Sequence, residues 1–154
     1  DDTFELDTDA GFGRPLLARL DRFRIRVDAE TSVVEAPDAT RSTEAEQARV
    51  ETGWPRLGHE IVPGETIPAG TGLTAIAVSY TKGCYPGQEL VERMDSRAAE
   101  APRSLRRLTV DPGAHRGDSI VDAGAEVGVL TSVSGTAALG WVKRSSDVGE
   151  LVGF

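Results

Sequence analysis

Val127 to Val142 reads V-G-V-L-T-S-V-S-G-T-A-A-L-G-W-V. Within and around it lie two apolar, β-branched pieces, A-E-V-G-V-L-T-S-V (125–133) and A-L-G-W-V-K (138–143). The residues between them include a glycine, the mark of a strand–turn–strand pattern. R-R-L-T-V-D (106–111) and G-D-S-I-V-D-A-G (117–124) have the same character, and Gly- or Asp-containing turns separate the pieces at regular intervals. Short strands spaced in this way predict a small antiparallel barrel or sandwich. The change of character places a boundary near A-E-A-P-R, Ala99 to Arg103.

Upstream of that boundary the signals are mixed. In R-P-L-L-A-R-L-D-R-F (14–23), Leu16, Leu17, Leu20 and Phe23 recur at helical spacing, and Pro15 suits a first turn. F-R-I-R-V-D (23–28) alternates apolar and charged residues, predicting a half-buried strand that E-T-S-V-V-E (30–35) continues or repeats. A-P-D-A-T-R (36–41) reads as a loop. Thr43 with Glu46 three residues on predicts a capping box, and the helix behind it should stop at Gly53, with Pro55 just beyond. I-V-P-G-E-T-I-P-A-G-T-G (61–72) is rich in turn residues. L-T-A-I-A-V-S-Y-T (73–81) predicts a buried strand, and Pro86 or Gly87 should open a helix with Leu90, Val91 and Met94 on one face.

The 154 residues suffice for one medium domain or two small ones. Aromatics are only 5%, so alanine, valine and leucine must fill the core. A net charge of −8 and a pI near 4.8 disfavour general nucleic-acid binding, which needs clustered Lys and Arg. The chain has two lysines, Lys82 and Lys143; such a balance suits high salt, or a GC-rich genome whose code favours arginine. No apolar run approaches the roughly 20 residues of a bilayer span. The acidic start, D-D-T-F-E-L-D-T-D, does not resemble a signal peptide. It also lacks methionine, so it is not expected to be the natural beginning of the gene product. One cysteine excludes an internal disulfide and any Cys-rich metal site, and no metal ligands are expected. A cytoplasmic location, with no membrane partner, follows as the expectation.

That cysteine lies in T-K-G-C-Y-P-G-Q-E-L, Thr81 to Leu90. Cys84 is expected just before a helix N-terminus, where unpaired N–H groups and the macrodipole favour an anion, with Lys82 two residues away. Both effects favour the thiolate that reactive cysteines use. Gly83 and Gly87 allow backbone conformations that a Cβ would penalise, and Glu89 suits the first helical turn. His59 and His115 stand isolated in turn-rich segments and read as loop histidines. Trp54 and Trp141 read as core or pocket-wall residues.

K-G-C-Y-P-G-Q-E (82–89) resembles the K-G-C-Y-x-G-Q-E signature of the YgfZ-type folate-binding proteins, relatives of the glycine-cleavage T-protein (aminomethyltransferase, GcvT) associated with iron–sulfur cluster maintenance. R-V-E-T-G-W-P-R-L-G-H-E (49–60) is similar to a segment upstream of that motif in the family. L-V-E-R-M-D-S-R-A (90–98) is similar to the family's continuing helix, and Val127–Val142 to a run in its C-terminal barrel. The resemblance implies an α+β chain: a GcvT-like folate-binding α/β region over 1–102, incomplete because family members are about twice this length, then a C-terminal antiparallel β-barrel over 103–154.

The resemblance also implies a function. The chain would bind tetrahydrofolate or a one-carbon derivative and support iron–sulfur cluster assembly or repair, with assembly proteins or client enzymes as partners. Glu51 would accept the paired N–H donors of the pterin edge, as a forked carboxylate can, while Arg49 would be structural, pairing with a neighbouring carboxylate. Tyr85, Gly87, Gln88 and Glu89 would complete the folate contacts. Cys84 and Lys82 would be the reactive pair, the thiolate serving as nucleophile, redox thiol or shared cluster ligand. An aminomethyltransferase moving a one-carbon unit to tetrahydrofolate is the alternative, although Lys82-Gly83-Cys84 marks the YgfZ-type branch. A folate-independent scaffold is the second alternative.

Overall fold

The computed structural model describes residues 3–34, 42–97 and 100–154. The chain forms two compact units, Asp1–Arg41 and Ser42–Phe154, so residues 42–102 share a unit with the strands that begin at Arg103.

In the first unit, α1 spans Gly13–Phe23, where the leucine spacing predicts it. Leu16 and Leu17 are half-buried, Leu20 and Phe23 are exposed, and the Arg19 guanidinium lies 4.9 Å from the centre of the Phe23 ring. The strand expected over 23–28 does not form. Arg26 takes a left-handed φ of 58°, which breaks an extended backbone, and Ile25 and Val27 are exposed. Residues 30–34 also form no strand. Alternation specifies a strand only when a neighbour covers its apolar face, and no described residue of this unit is in a strand. Glu35 and the 36–41 loop lie outside the described residues.

The second unit is α+β. Its strands are β1 (Arg103–Thr109), β2 (Ser119–Asp122), β3 (Ala125–Ser134), β4 (Ala137–Lys143) and β5 (Glu150–Leu151). They form one antiparallel sheet in the order β2-β3-β4-β1-β5, and β5 is a strand that the sequence pattern does not announce. The sheet is open, which corrects the expected barrel: β2 pairs with β3 alone and β5 with β1 alone. Closure needs edge strands long enough to tilt and pair, and these have four and two residues. One core cluster gathers Ile120, Val127, Leu130, Ala138 and Val142; a second gathers Val50, Leu105, Leu139 and Val152.

Helix α2 (Thr43–Thr52) brings Val50 to the second cluster and packs against β3 and β4. Its N-cap is Ser42, whose hydroxyl accepts from the Ala45 N–H at 3.1 Å, one residue before the expected Thr43 cap. The Glu46 carboxylate pairs with Arg49 at 2.7 Å and with Arg56 at 3.2 Å. The C-terminal signal holds: Gly53 takes φ 84°, and the Trp54 N–H bonds the Arg49 carbonyl at 3.0 Å.

The run 73–81 is not the buried strand expected. Thr74–Ala77 form the short helix α3, and Ile76 and Tyr80 are exposed. A short apolar run does not by itself distinguish strand from helix, and this one pairs with no strand among the described residues. Helix α4 (Gln88–Ser96) starts after Gly87, as the sequence predicts, and packs against the 3₁₀ turn Pro68–Gly70. Val91 is buried, Met94 half-buried and Leu90 exposed, so the expected apolar face is only partly covered. No helix among the described residues is long and apolar enough to cross a membrane.

Candidate functional site

The turn carrying Cys84 is built by its neighbours. Gly87 takes φ 87° immediately before α4, and the Gln88 side chain folds back so that its Oε1 accepts from the Tyr85 N–H at 3.0 Å. The Gln88 N–H returns a bond to the Tyr85 carbonyl at 3.3 Å. Lys82 Nζ lies 4.8 Å from the centre of the Tyr85 ring, within cation–π range. Tyr85 is half-buried, and its buried hydroxyl has no hydrogen-bond partner among the described residues. Cys84 is a free, exposed thiol, and Glu89 is exposed in the first turn of α4.

Helix α4 also walls a cleft of about 390 Å³, lined by Tyr80, Val91, Met94, Asp95 and Thr74 among others. Tyr80 is held above the ordinary tyrosine pKa, first by desolvation and then by the nearby Asp95 carboxylate. A second, apolar cavity of about 230 Å³ lies between Ile61, Pro68, Leu73, Ala77 and Val78. Cys84 lines neither. Glu51 is exposed on α2, where it accepts from Gln47 Nε2 at 2.7 Å, and no described hydrogen bond joins it to the Cys84 turn. Trp54 is half-exposed and packs edge-to-face on Phe154, with centroids 5.2 Å apart. Trp141 is half-buried and donates Nε1–H to the Glu60 carbonyl at 3.1 Å.

A second constellation is centred on Glu60, which is fully buried. Its carboxylate accepts from Ser132 Oγ at 2.6 Å, from Arg49 Nη1 at 3.1 Å and from the Arg56 backbone N–H at 3.0 Å. Arg49, itself buried, also donates to Glu46 at 2.7 and 3.0 Å, to Ser132 Oγ at 2.7 Å and to the Trp54 carbonyl at 2.7 Å. Burial would lower the Arg49 pKa, but Glu46 and Glu60 outweigh it and hold it above its ordinary value. The structural role expected for Arg49 is the one observed.

A bulge in β3 delivers Ser132 to this network. Leu130 pairs with Gly140 and Ser132 with Leu139, leaving Thr131 as the extra residue. Thr131 Oγ1 donates to the Leu139 carbonyl at 3.1 Å. A bulge re-aims the side chains beside it, and Ser132 meets an arginine 83 positions away. Sequence reasoning missed this group. The i,i+3 spacing of Glu46 and Arg49 is the one local signal that could have found part of it.

His59 belongs to the same region; it lies in a turn, as expected, but it is not isolated. Arg56 Nη2 lies 3.1 Å from its Nδ1 and also against its Nε2, while Arg116 Nη1 lies 3.3 Å from Nε2. Desolvation first, then the Arg56 and Arg116 charges, hold His59 below its ordinary pKa. The unfolded chain therefore takes up a proton that the folded chain refuses. Stability should fall as pH drops below about 6.5, the unperturbed histidine value, and the loss should be complete below the folded value. His59→Gln should remove that part of the loss, read by urea unfolding at about pH 7.5 and about 5.5. An unchanged pH dependence would show that His59 does not titrate this way.

No family model matches this chain. It is similar to an uncharacterized protein of Haemophilus influenzae, with 45% identity over 56 residues. That match spans 35% of this chain and 20% of the relative's length.

Proposed function

We propose that this chain acts as a YgfZ-type folate-binding protein that supports iron–sulfur cluster assembly or repair, with Cys84 as its reactive group. The observation that carries the reading is the K-G-C-Y-P-G-Q-E turn. Its glycine and glutamine build the entry to α4, and its thiol stands exposed at that entry. Lys82 lies over the Tyr85 ring, so the turn that carries the thiol also carries a positive charge.

Folate is compatible with the residues present. Gln47 is the one described side-chain partner of the exposed Glu51 carboxylate, which can turn to the paired N–H donors of a pterin edge. Separately, the α4 cleft, which Glu51 does not line, offers an aromatic ring, Tyr80, and a carboxylate, Asp95, at its wall. Tyr85, Gly87 and Gln88 shape the turn that leads into α4, and Glu89 stands in the first turn of that helix.

Cys84→Ala, introduced into the gene and expressed in cells lacking the wild-type protein, is expected to leave iron–sulfur enzymes at the activity of the deletion strain. Full rescue would remove the thiol from the function. Calorimetric titration of the gene product with a reduced folate is expected to give saturable binding that Glu51→Ala weakens. No heat of binding would favour the scaffold reading instead.

A further inference from the structure

We propose that Arg56, His59 and Arg116 form a binding site for an oxyanion, the phosphate or carboxylate group of a small ligand. The site rests on how the three side chains are held. The segment 56–61 closes on itself: the His59 and Glu60 N–H groups donate to the Arg56 carbonyl at 3.2 and 3.1 Å, and the Gly58 N–H to the Ile61 carbonyl at 2.8 Å. That turn folds the Arg56 guanidinium over the His59 ring. Arg116 arrives from the loop between β1 and β2, where Nη2 donates to the Gly58 carbonyl at 2.9 Å.

The arrangement leaves a conflict among donors. Both ring nitrogens of His59 face guanidinium N–H groups. A neutral imidazole has one acceptor nitrogen, and its other nitrogen carries a hydrogen. At least one side of the ring therefore sets donor against donor, and protonating the ring makes this worse. Ser132 Oγ, 3.5 Å from Nδ1, is too far to relieve it well.

Charge points the same way. The groups that face His59 are Arg56 and Glu60 from its own turn, Arg49 from α2, Arg116 from the β1–β2 loop and Ser132 from β3. Three arginines meet two carboxylates, because Glu46 is shared by Arg49 and Arg56. Glu60 is buried and bound to Arg49, Ser132 and the Arg56 N–H. Arg116 is exposed and makes no ion pair with a carboxylate among the described residues. With the imidazole neutral, the cluster keeps one positive charge in excess, in a chain whose net charge is −8. An oxyanion between the guanidiniums accepts from both forks and from the ring N–H, which replaces the donor conflict with charge-assisted bonds.

The test follows the His59 ring signals by NMR, assigned with His59→Gln, during titration with inorganic phosphate and separately with acetate at matched ionic strength. Phosphate is expected to shift the His59 signals saturably and raise the pH at which the ring titrates. Arg116→Gln, which removes an exposed side chain, is expected to bind phosphate about tenfold more weakly, the loss of one charge-assisted contact. Arg116→Lys should recover part of the affinity. Acetate binding with the same signature assigns the site to oxyanions in general, and phosphate binding alone assigns it to phosphate groups. His59 signals unmoved by either anion, or an Arg116→Gln variant that binds as tightly as the wild type, overturns the proposal.

Discussion

Glu60→Ala is expected to destabilise the protein by about 3–5 kcal/mol, the cost of removing one partner from a buried ion pair, and to lower Tm by about 10–20 °C. The size comes from what Glu60 holds together. Its carboxylate joins Arg49 of α2, Ser132 of β3 and the backbone of Arg56, and its carbonyl accepts from Trp141 of β4. Alanine leaves the Ser132 hydroxyl, the Arg56 N–H and part of the Arg49 guanidinium buried without this acceptor. Unmet donors in a low-dielectric interior cost more than the net worth of the bonds they made. Glu60→Gln keeps the shape and one acceptor oxygen, so it should fall between wild type and alanine. Denaturant unfolding of the three proteins checks the order. A Glu60→Ala variant within about 1 kcal/mol of wild type, the scale of an ordinary point substitution, would show that the network contributes little to stability.

Leu139→Ala is expected to cost about 2–5 kcal/mol, the usual range for a fully buried leucine. Leu139 has no exposed surface and sits on the central strand β4, between Arg107 of β1 and Ser132 of β3. Its side chain meets Val50, Leu105 and Val152, so it ties α2 and the C-terminal segment to the sheet. Truncation removes buried apolar surface and leaves a cavity that strands paired on both sides cannot easily close. Leu151→Ala is the control, since Leu151 is 61% exposed and surface changes usually stay within about 0.5 kcal/mol. Equal losses in the two variants would mean that Leu139 is not the packing centre described.

Several elements are legible in the sequence alone. The leucine spacing of 14–23 became α1, Gly53 ended α2, and Gly87 opened α4. The strand-like pieces after Arg103 became β1 to β4. The failures also follow a pattern. The runs 23–28 and 73–81 have strand-like composition, but a strand exists only beside another strand, and neither run has a strand partner among the described residues. The turn that carries Cys84 and opens α4 is legible because its residues lie in one short stretch. The group around Glu60 was not, because its members come from α2, a turn, a loop and a bulged strand.

The sequence by itself determined many of the local events: the helix at 14–23, the stop of α2, the start of α4, and which segments are fit to be strands. Caps, glycine conformations and side-chain alternation act over a few residues, so they can be read from a few residues. Only the tertiary structure decided that the sheet stays open, that the bulge at Thr131 turns Ser132 toward Arg49 and Glu60, and that Arg116 comes to rest against His59. Those outcomes depend on contacts between residues tens of positions apart. Such contacts exist only in the packed fold, where buried charges meet the partners that the fold has brought near.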